Sequence, residues 1–435
     1  MSERLSFLRC LATGKLFDTR EVRYRGDTGA LLEVVHDLEQ IRALHPDLKE
    51  IFTRRLGTNQ WPYVSGVWRY HEMILPELPP ADIVTKPEGN TNLYRGPLLS
   101  KAFATERLYL KHEGENPTLS FKDRGMTAGV SWAHHLRQKI VACASTGDTS
   151  AAMAAYAAQV ENMRGVVFLP AGKISPEQLA QAITYGAKTL ALDTDFDGCM
   201  KLVQEICARH PVYLLNSMNP FRIEGQKAIG LEAIQQLDWQ TPDWFVIPVG
   251  NAGNISALGK GLREARALGL IDRLPRIAGI QATAADPFFR SYQTGFAEKI
   301  TVTAKPTLAS AIRIGAPVSH ERAERVVQEF DGVVAAVDEG ELMDAKALAD
   351  RCGVAVCPNS GVALAGLRKL RQDGIIEDGQ SVVVILTAHG AKFSQAGVDY
   401  HTGQMTALPP AAPNPIVELP AECAAIEQAL GLGSD

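Results

Sequence analysis

The sequence predicts an α/β protein built on parallel sheet, and three observations predict it. From Lys139 onward, short apolar runs bounded by turn residues alternate with helical stretches, the pattern of strand–helix–strand units. The runs, Ile140 to Ala144 for example, are continuously apolar, as buried strands are. Several of them empty into polar, glycine-containing loops that lead straight into helices. A chain of 435 residues is long enough for two or three domains with substantial cores.

The elements follow in order. The first eighty residues read as an accessory region, with a strand over Leu31–Val35 and a helix over His36–Ile41 continuing to Leu44. Trp68 and Tyr70 read as packing anchors. Arg107 to Lys111 alternates apolar Leu108 and Leu110 with polar Tyr109 and Lys111, a half-buried strand pattern. Gly114, Asn116 and Pro117 break it into a loop, with Ser120 as N-cap of the next helix and Asp123 in its first turn. Strand Ile140–Ala144 delivers the loop Ser145-Thr-Gly-Asp-Thr-Ser150, then an alanine-rich helix over Ala151–Gln159. Further strands are expected at Gly165–Leu169, Thr189–Leu192, Val212–Leu215 and Phe245–Pro248. The last leads through Val249-Gly250-Asn251-Ala252-Gly253-Asn254-Ile255 into a helix containing Ala257, Leu258 and Leu262. A strand at Val382–Leu386 delivers Thr387-Ala-His389-Gly390. The tail from Pro409 to Pro415 is proline-rich and expected to be extended, before a helix over Ala421–Leu430.

Composition excludes several classes. A net charge of −5 gives no electrostatic reason for nucleic acid or an anionic membrane as partner. No apolar run approaches the roughly 20 residues of a membrane span. The N-terminal stretch lacks an apolar signal core and cleavage site, so a cytoplasmic location is expected. Seven scattered cysteines without a C-x-x-C pair suit reduced thiols. No repeat or metal-ligand cluster is visible, so no metal is expected.

Residue chemistry singles out four places. Lys122 lies at a helix start, where the positive end of the helix dipole disfavours a second positive charge; an ordinary surface lysine and an imine-forming lysine of lowered pKa are both open readings. The Ser145–Ser150 loop can collect an anion on backbone N–H groups, or be a capped turn only. Arg222 offers a planar fork to a phosphate dianion, or a helix-start salt bridge to Glu224. Gly250 and Gly253 let backbone approach a phosphate closely, but the loop is neither G-x-G-x-x-G nor a Walker motif.

The segment Asn116 to Gly125, N-P-T-L-S-F-K-D-R-G, resembles the cofactor-lysine segment of the fold-type II pyridoxal-phosphate (PLP) enzymes. The longer run E-G-E-N-P-T-L-S-F-K-D-R-G-M looks most like the threonine synthases, as does Ala309-Ser-Ala-Ile-Arg-Ile-Gly315-Ala-Pro-Val-Ser319. The resemblance covers the chain from about Gly66 to about Lys392. It implies two parallel-sheet α/β domains with the cofactor in the cleft between them. The implied division is an accessory region 1–80, a large domain of 81–126 and 222–400, a small domain 127–221, and a tail 401–435. Many threonine synthases carry a zinc ribbon near the N-terminus; here only Cys10 stands in that place, and one thiolate cannot hold tetrahedral zinc.

By the same resemblance, Lys122 holds PLP as an imine and moves protons once substrate displaces it. Val249, Gly250, Asn251, Ala252, Gly253 and Asn254 form the cup for the cofactor phosphate. Thr387 meets the pyridine nitrogen, and Asp148 stands where asparagine often faces the 3′-oxygen. Ser145, Thr146, Gly147 and Thr149 grip the substrate carboxylate, while Asn216, Ser217 and Arg222 hold the substrate phosphate. His389 is either a catalytic group or a half-buried histidine capping the strand end. Cys357 replaces the acid of the family's E-P-x-S. The implied reaction converts O-phospho-L-homoserine and water to L-threonine and phosphate, in an expected homodimer. A serine or threonine dehydratase is the rival on the same scaffold, and a silent PLP-binding paralogue the rival from another class.

Overall fold

The computed structural model describes residues 4–172, 176–405, 408–411 and 413–432. Near the N-terminus, β1 (Ser6–Cys10), β2 (Leu16–Asp18) and β3 (Leu32–His36) form an antiparallel sheet in the order β2-β1-β3. β4 (Leu93–Tyr94) and β5 (Arg107–His112) follow, antiparallel to each other. β6 (Ile140–Ala144), β7 (Arg164–Pro170), β8 (Lys188–Leu192) and β9 (Tyr213–Leu214) make a parallel sheet ordered β8-β7-β6-β9. β10 (Trp244–Pro248), β11 (Arg276–Ala282), β12 (Val333–Val337) and β13 (Ser381–Leu386) join the earlier pair in a six-stranded sheet, ordered β12-β11-β10-β13-β5-β4. Apart from β4, that sheet is parallel.

The α/β class read from the sequence is therefore what the chain forms. Helices bury the sheet faces, so strands such as β10 and β13 are buried at every position. This burial overturns one expectation. The alternation of Arg107–Lys111 suggested a polar face, yet β5 is central, and Lys111 is buried with its ammonium 2.6 Å from Glu232. β11 and β12 were not anticipated: Gly279 and the alanines among their residues weaken the β-branched signal.

Boundaries moved for local reasons. The helix after the Lys122 loop spans Lys122–His135, and Phe121, not Ser120, occupies its cap position. Ser120 Oγ receives the Lys122 N–H only at 3.4 Å. The helix after β6 spans Asp148–Ala157, so Asp148 and Thr149 are its first residues and the loop proper is Ser145–Gly147. The first helix starts at Leu38 because Asp37 caps it, accepting Gln40 N–H at 2.9 Å. The last helix runs Cys423–Leu430; position 412, inside the expected extended tail, lies outside the described residues.

Trp68 and Tyr70 are anchors, both fully buried. The Trp68 indole donates to Thr127 Oγ1 at 2.8 Å, tying it to the Lys122 helix. Tyr70 OH donates to Gln235 Oε1 at 2.5 Å. Beneath them lies a buried ion network that sequence did not announce. Arg124 reaches Glu113 at 2.6 Å and Glu232 at 2.8 Å, and Glu232 also takes Lys111 and, at 3.0 Å, Arg69.

Candidate active site

Lys122 is placed by backbone, not by its side chain. Phe121 N–H donates to Thr387 O at 3.0 Å, and His389 N–H donates to Leu119 O at 3.1 Å. The loop before Lys122 is thus sewn to the C-terminal end of β13, which brings Lys122 and Thr387 together. Across the cleft, the end of β6 supplies Ser145–Gly147 and Asp148. A third wall is the helix Pro220–Gln226, which packs on the Lys122 helix. Their approach requires glycine: a Cβ on Gly225 would stand 1.8 Å from Arg124 O, and one on Gly129 would stand 3.2 Å from Arg222 Cγ. Arg222 consequently lies against the first turns of the Lys122 helix.

The electrostatics of this corner are those of a reactive amine. Lys122 has its ammonium 4.0 Å from the centre of the Phe121 ring. Burial pulls its pKa down to about 7, and the Arg222 guanidinium and Lys392 ammonium push the same way; the Asp148 carboxylate opposes them. Arg222 is itself only 2% exposed, and burial lowers its pKa to about 10. The salt bridge to Glu224 that the sequence left open does not form. Glu224 is taken by Lys227, Lys260 and His36 at 2.5, 2.8 and 3.0 Å. Arg222 instead donates to Leu215 O at 3.0 Å, and its Nε has no hydrogen-bond partner. A buried guanidinium left this way is an anion site in waiting.

The other candidates divide. Asn216 clamps the strand end, accepting Ala144 N–H at 2.9 Å and donating to Ala144 O at 2.8 Å. It therefore shapes the Ser145 loop, a contact that a phosphate-binding role alone did not foresee. Ser217 is half-buried beside it. Ser145, Thr146, Gly147 and Thr149 are half-buried around the start of the Asp148–Ala157 helix, which has no side-chain cap. A Cβ on Gly147 would meet nothing within 4 Å, so the space above that loop is open. Asp148 forms a 2.6 Å ion pair with Lys392, whose ammonium also donates to Thr118 O at 3.1 Å. Sequence reasoning had not weighed Lys392, although its lysine ends the T-A-H-G-A-K run.

Val249 to Asn254 link β10 to the helix Gly253–Ala267. Ala252 adopts φ 61°, a left-handed turn at the start of a helix whose first N–H groups have no side-chain cap. Asn251 faces the other way, accepting Val318 N–H on Oδ1 at 3.3 Å and Ser319 N–H on its carbonyl at 3.0 Å. Asn254 Nδ2 is buried with no partner. Thr387 is 7% exposed, its Oγ1 3.8 Å from Cys357 Sγ. The Cys357 Sγ also stands 3.2 Å from Ser360 Oγ. His389 accepts Ala391 N–H at 3.0 Å and stacks on His112 at 5.5 Å, a capping geometry.

Residues 84–388 match the model of the pyridoxal-phosphate dependent enzyme family. A threonine synthase 2 of Arabidopsis thaliana, described as chloroplastic, is 44% identical over 94% of this chain and 81% of its own. The chain belongs to the threonine synthase family. A threonine synthase of Methanocaldococcus jannaschii is 42% identical over 90% of this chain and 94% of its own. Among solved structures, threonine synthase from Escherichia coli aligns with a TM-score of 0.67 at 23% identity, covering 98% of this chain and 99% of that one. Maize serine racemase aligns at 0.62 and 19% identity over 78% and 98%, a likeness of fold. The family's cofactor is pyridoxal phosphate, and the residues present fit it. A low-pKa amine, an uncapped helix start behind a left-handed turn, the unpartnered Asn254 amide and a hydroxyl at Thr387 are the donors that an aldehyde, a phosphate and a pyridine nitrogen require.

Proposed function

We propose that the chain converts O-phospho-L-homoserine and water to L-threonine and phosphate. The observation that carries this reading is Arg222: a buried guanidinium with no carboxylate partner and an unpartnered Nε, next to Lys122. When bound, the cofactor supplies an electron sink for the carbanion at Cα. Lys122 attaches it and afterwards moves protons between the substrate carbons; with a pKa of about 7 its amine is about half neutral at neutral pH, against almost none at the ordinary lysine value. Val249 to Asn254 hold the cofactor phosphate, and Thr387 accepts or donates at the pyridine nitrogen without enforcing a charge there. Asp148 faces the 3′-oxygen, and its pairing with Lys392 offsets the repulsion that a lone carboxylate would exert on a phenolate. Ser145, Thr146, Gly147 and Thr149 orient the substrate carboxylate. Arg222 and Ser217 hold the substrate phosphate as it leaves, with Asn216 fixing the loop and adding its free amide hydrogen.

The strands support the domain division: 140–214 supply one parallel sheet, and 93–112 with 244–386 supply the other. A cytoplasmic homodimer is part of the proposal. The seven cysteines, none in a disulfide, support a reducing compartment; fractionation and sedimentation equilibrium test location and assembly. No described helix is long and apolar enough to cross a membrane.

The deciding experiment replaces Arg222 by Ala and measures kcat/KM twice. Phosphate release from phosphohomoserine should fall by about two to three orders of magnitude, roughly 2–4 kcal/mol of transition-state stabilisation. Any slow keto-acid formation from serine or threonine should stay nearly unchanged. A parallel fall in both makes Arg222 structural, and a wild type active only on the unphosphorylated amino acids makes the enzyme a dehydratase.

A further inference from the structure

A second cavity, of about 390 Å³, lies where the N-terminal sheet meets the helices Gly253–Ala267 and His320–Glu329. Neither Lys122, Arg222 nor Thr387 lines it. Its walls carry five cationic side chains against two carboxylates. Three of the cations are already neutralised. Arg9 pairs with Glu33 at 2.7 Å, Arg263 pairs with Glu329, and Lys260 pairs with Glu224 and Glu264 from behind the wall. Among the described residues, Arg322 and Arg325 are left with no carboxylate. They sit three apart on one helix, hence on one face of it.

Arg322 is the unusual one. It is 7% exposed and donates to Ser319 Oγ at 3.3 Å and to Leu32 O, while its buried Nε has no partner. Burying a guanidinium with no carboxylate in contact costs free energy, and here that burial lowers its pKa to about 10 against the pull of Glu33, Glu224 and Glu321 further off. Arg325 lies at the outer rim and reaches Leu11 O at 3.0 Å. Two guanidinium forks without an ion-pair contact, plus the cavity-lining residue Ser256, match a group with two negative charges and several acceptor oxygens. The volume exceeds what a bare oxyanion needs and falls in the range of small-molecule sites.

We propose that this cavity binds a small phosphorylated metabolite through Arg322 and Arg325, separately from the cleft. It is connected to the cleft: Ser319, which accepts from Arg322, donates its N–H to Asn251 O in the glycine loop. Arg322 therefore stands two hydrogen bonds from the proposed cofactor-phosphate cup.

The test is calorimetric titration of the cofactor-loaded protein at low ionic strength, with inorganic phosphate in one arm and malonate in the other. Wild type should show a phosphate-binding component that Arg325→Gln weakens at least tenfold and Arg322→Gln removes, with Arg325→Lys intermediate. Malonate should bind that component at least tenfold more weakly. Arg325 is exposed, so its replacement leaves the fold intact even where loss of Arg322 does not. The component should persist in Arg222→Met, which separates it from the proposed substrate-phosphate site. Phosphate binding unchanged in both the Arg322 and Arg325 variants, binding lost with Arg222, or malonate binding tighter than phosphate would each overturn the proposal.

Discussion

Two groups of buried cations lie within one helix of each other and are treated in opposite ways. Under the Lys122 helix, Arg124, Lys111 and Arg69 converge on Glu113 and Glu232, each cation within 2.6–3.0 Å of a carboxylate. Arg124 is held well above its ordinary pKa by those carboxylates and Glu232 well below its own, although burial still lowers Lys111 despite Glu232 beside it. In the cleft, half-buried Lys122 and buried Arg222 have no carboxylate in contact, and both pKa values fall. The same desolvation acts on both groups; only the partners differ. Matched charge fixes the architecture, and unmatched charge is left available for a ligand.

The comparison can be broken first at its most reactive point. Lys122→Ala should abolish turnover and covalent cofactor attachment while the folded protein keeps its far-ultraviolet spectrum. Residual turnover in protein free of wild-type contamination would remove Lys122 from the chemistry. The next largest effect belongs to the matched group. Glu232→Ala leaves Arg124, Lys111 and Arg69 facing one another, and should cost about 3–5 kcal/mol of stability, read from the denaturation midpoint. The smallest effect should come from Arg222→Met. It removes a charge that had no counter-ion, so stability should change by less than about 1 kcal/mol, even as phosphohomoserine turnover falls. A loss as large as that of Glu232→Ala would mean that Arg222 is structural after all.

The sequence made the cleft more legible than its foundations. Short-range signals worked where one segment builds one feature: Ile140–Ala144 is a strand as read, and the glycine loop Val249–Asn254 opens a helix. The resemblance around Lys122 identified the family that the whole-chain relatives share. What stayed hidden depends on pairing across long separations. Lys111 looked like the polar half of an alternating strand because Glu232, 121 positions on, is invisible to periodicity. Glu224 looked like a partner for Arg222 because it is two residues away, but it turns toward Lys227 and Lys260. The role of Lys392 in neutralising Asp148 also needed the fold, since the two are far apart in the chain. Asn216, read as a phosphate ligand, also bonds Ala144 at the neighbouring strand end through its amide oxygen and one amide hydrogen.

The central claim, that the cleft holds Lys122 and Arg222 without carboxylate partners so that they can act, is tested most directly by the titration of Lys122 itself. In protein stripped of cofactor, the rate of recapture of pyridoxal phosphate should follow the fraction of neutral amine. Because the folded pKa is lowered, the rate should rise with pH through about 7 and level off above it. Arg222→Met should move that midpoint upward, since it removes the positive charge that helps depress it. A midpoint near the ordinary lysine value of 10.5, or one unmoved by the loss of Arg222, would contradict the account.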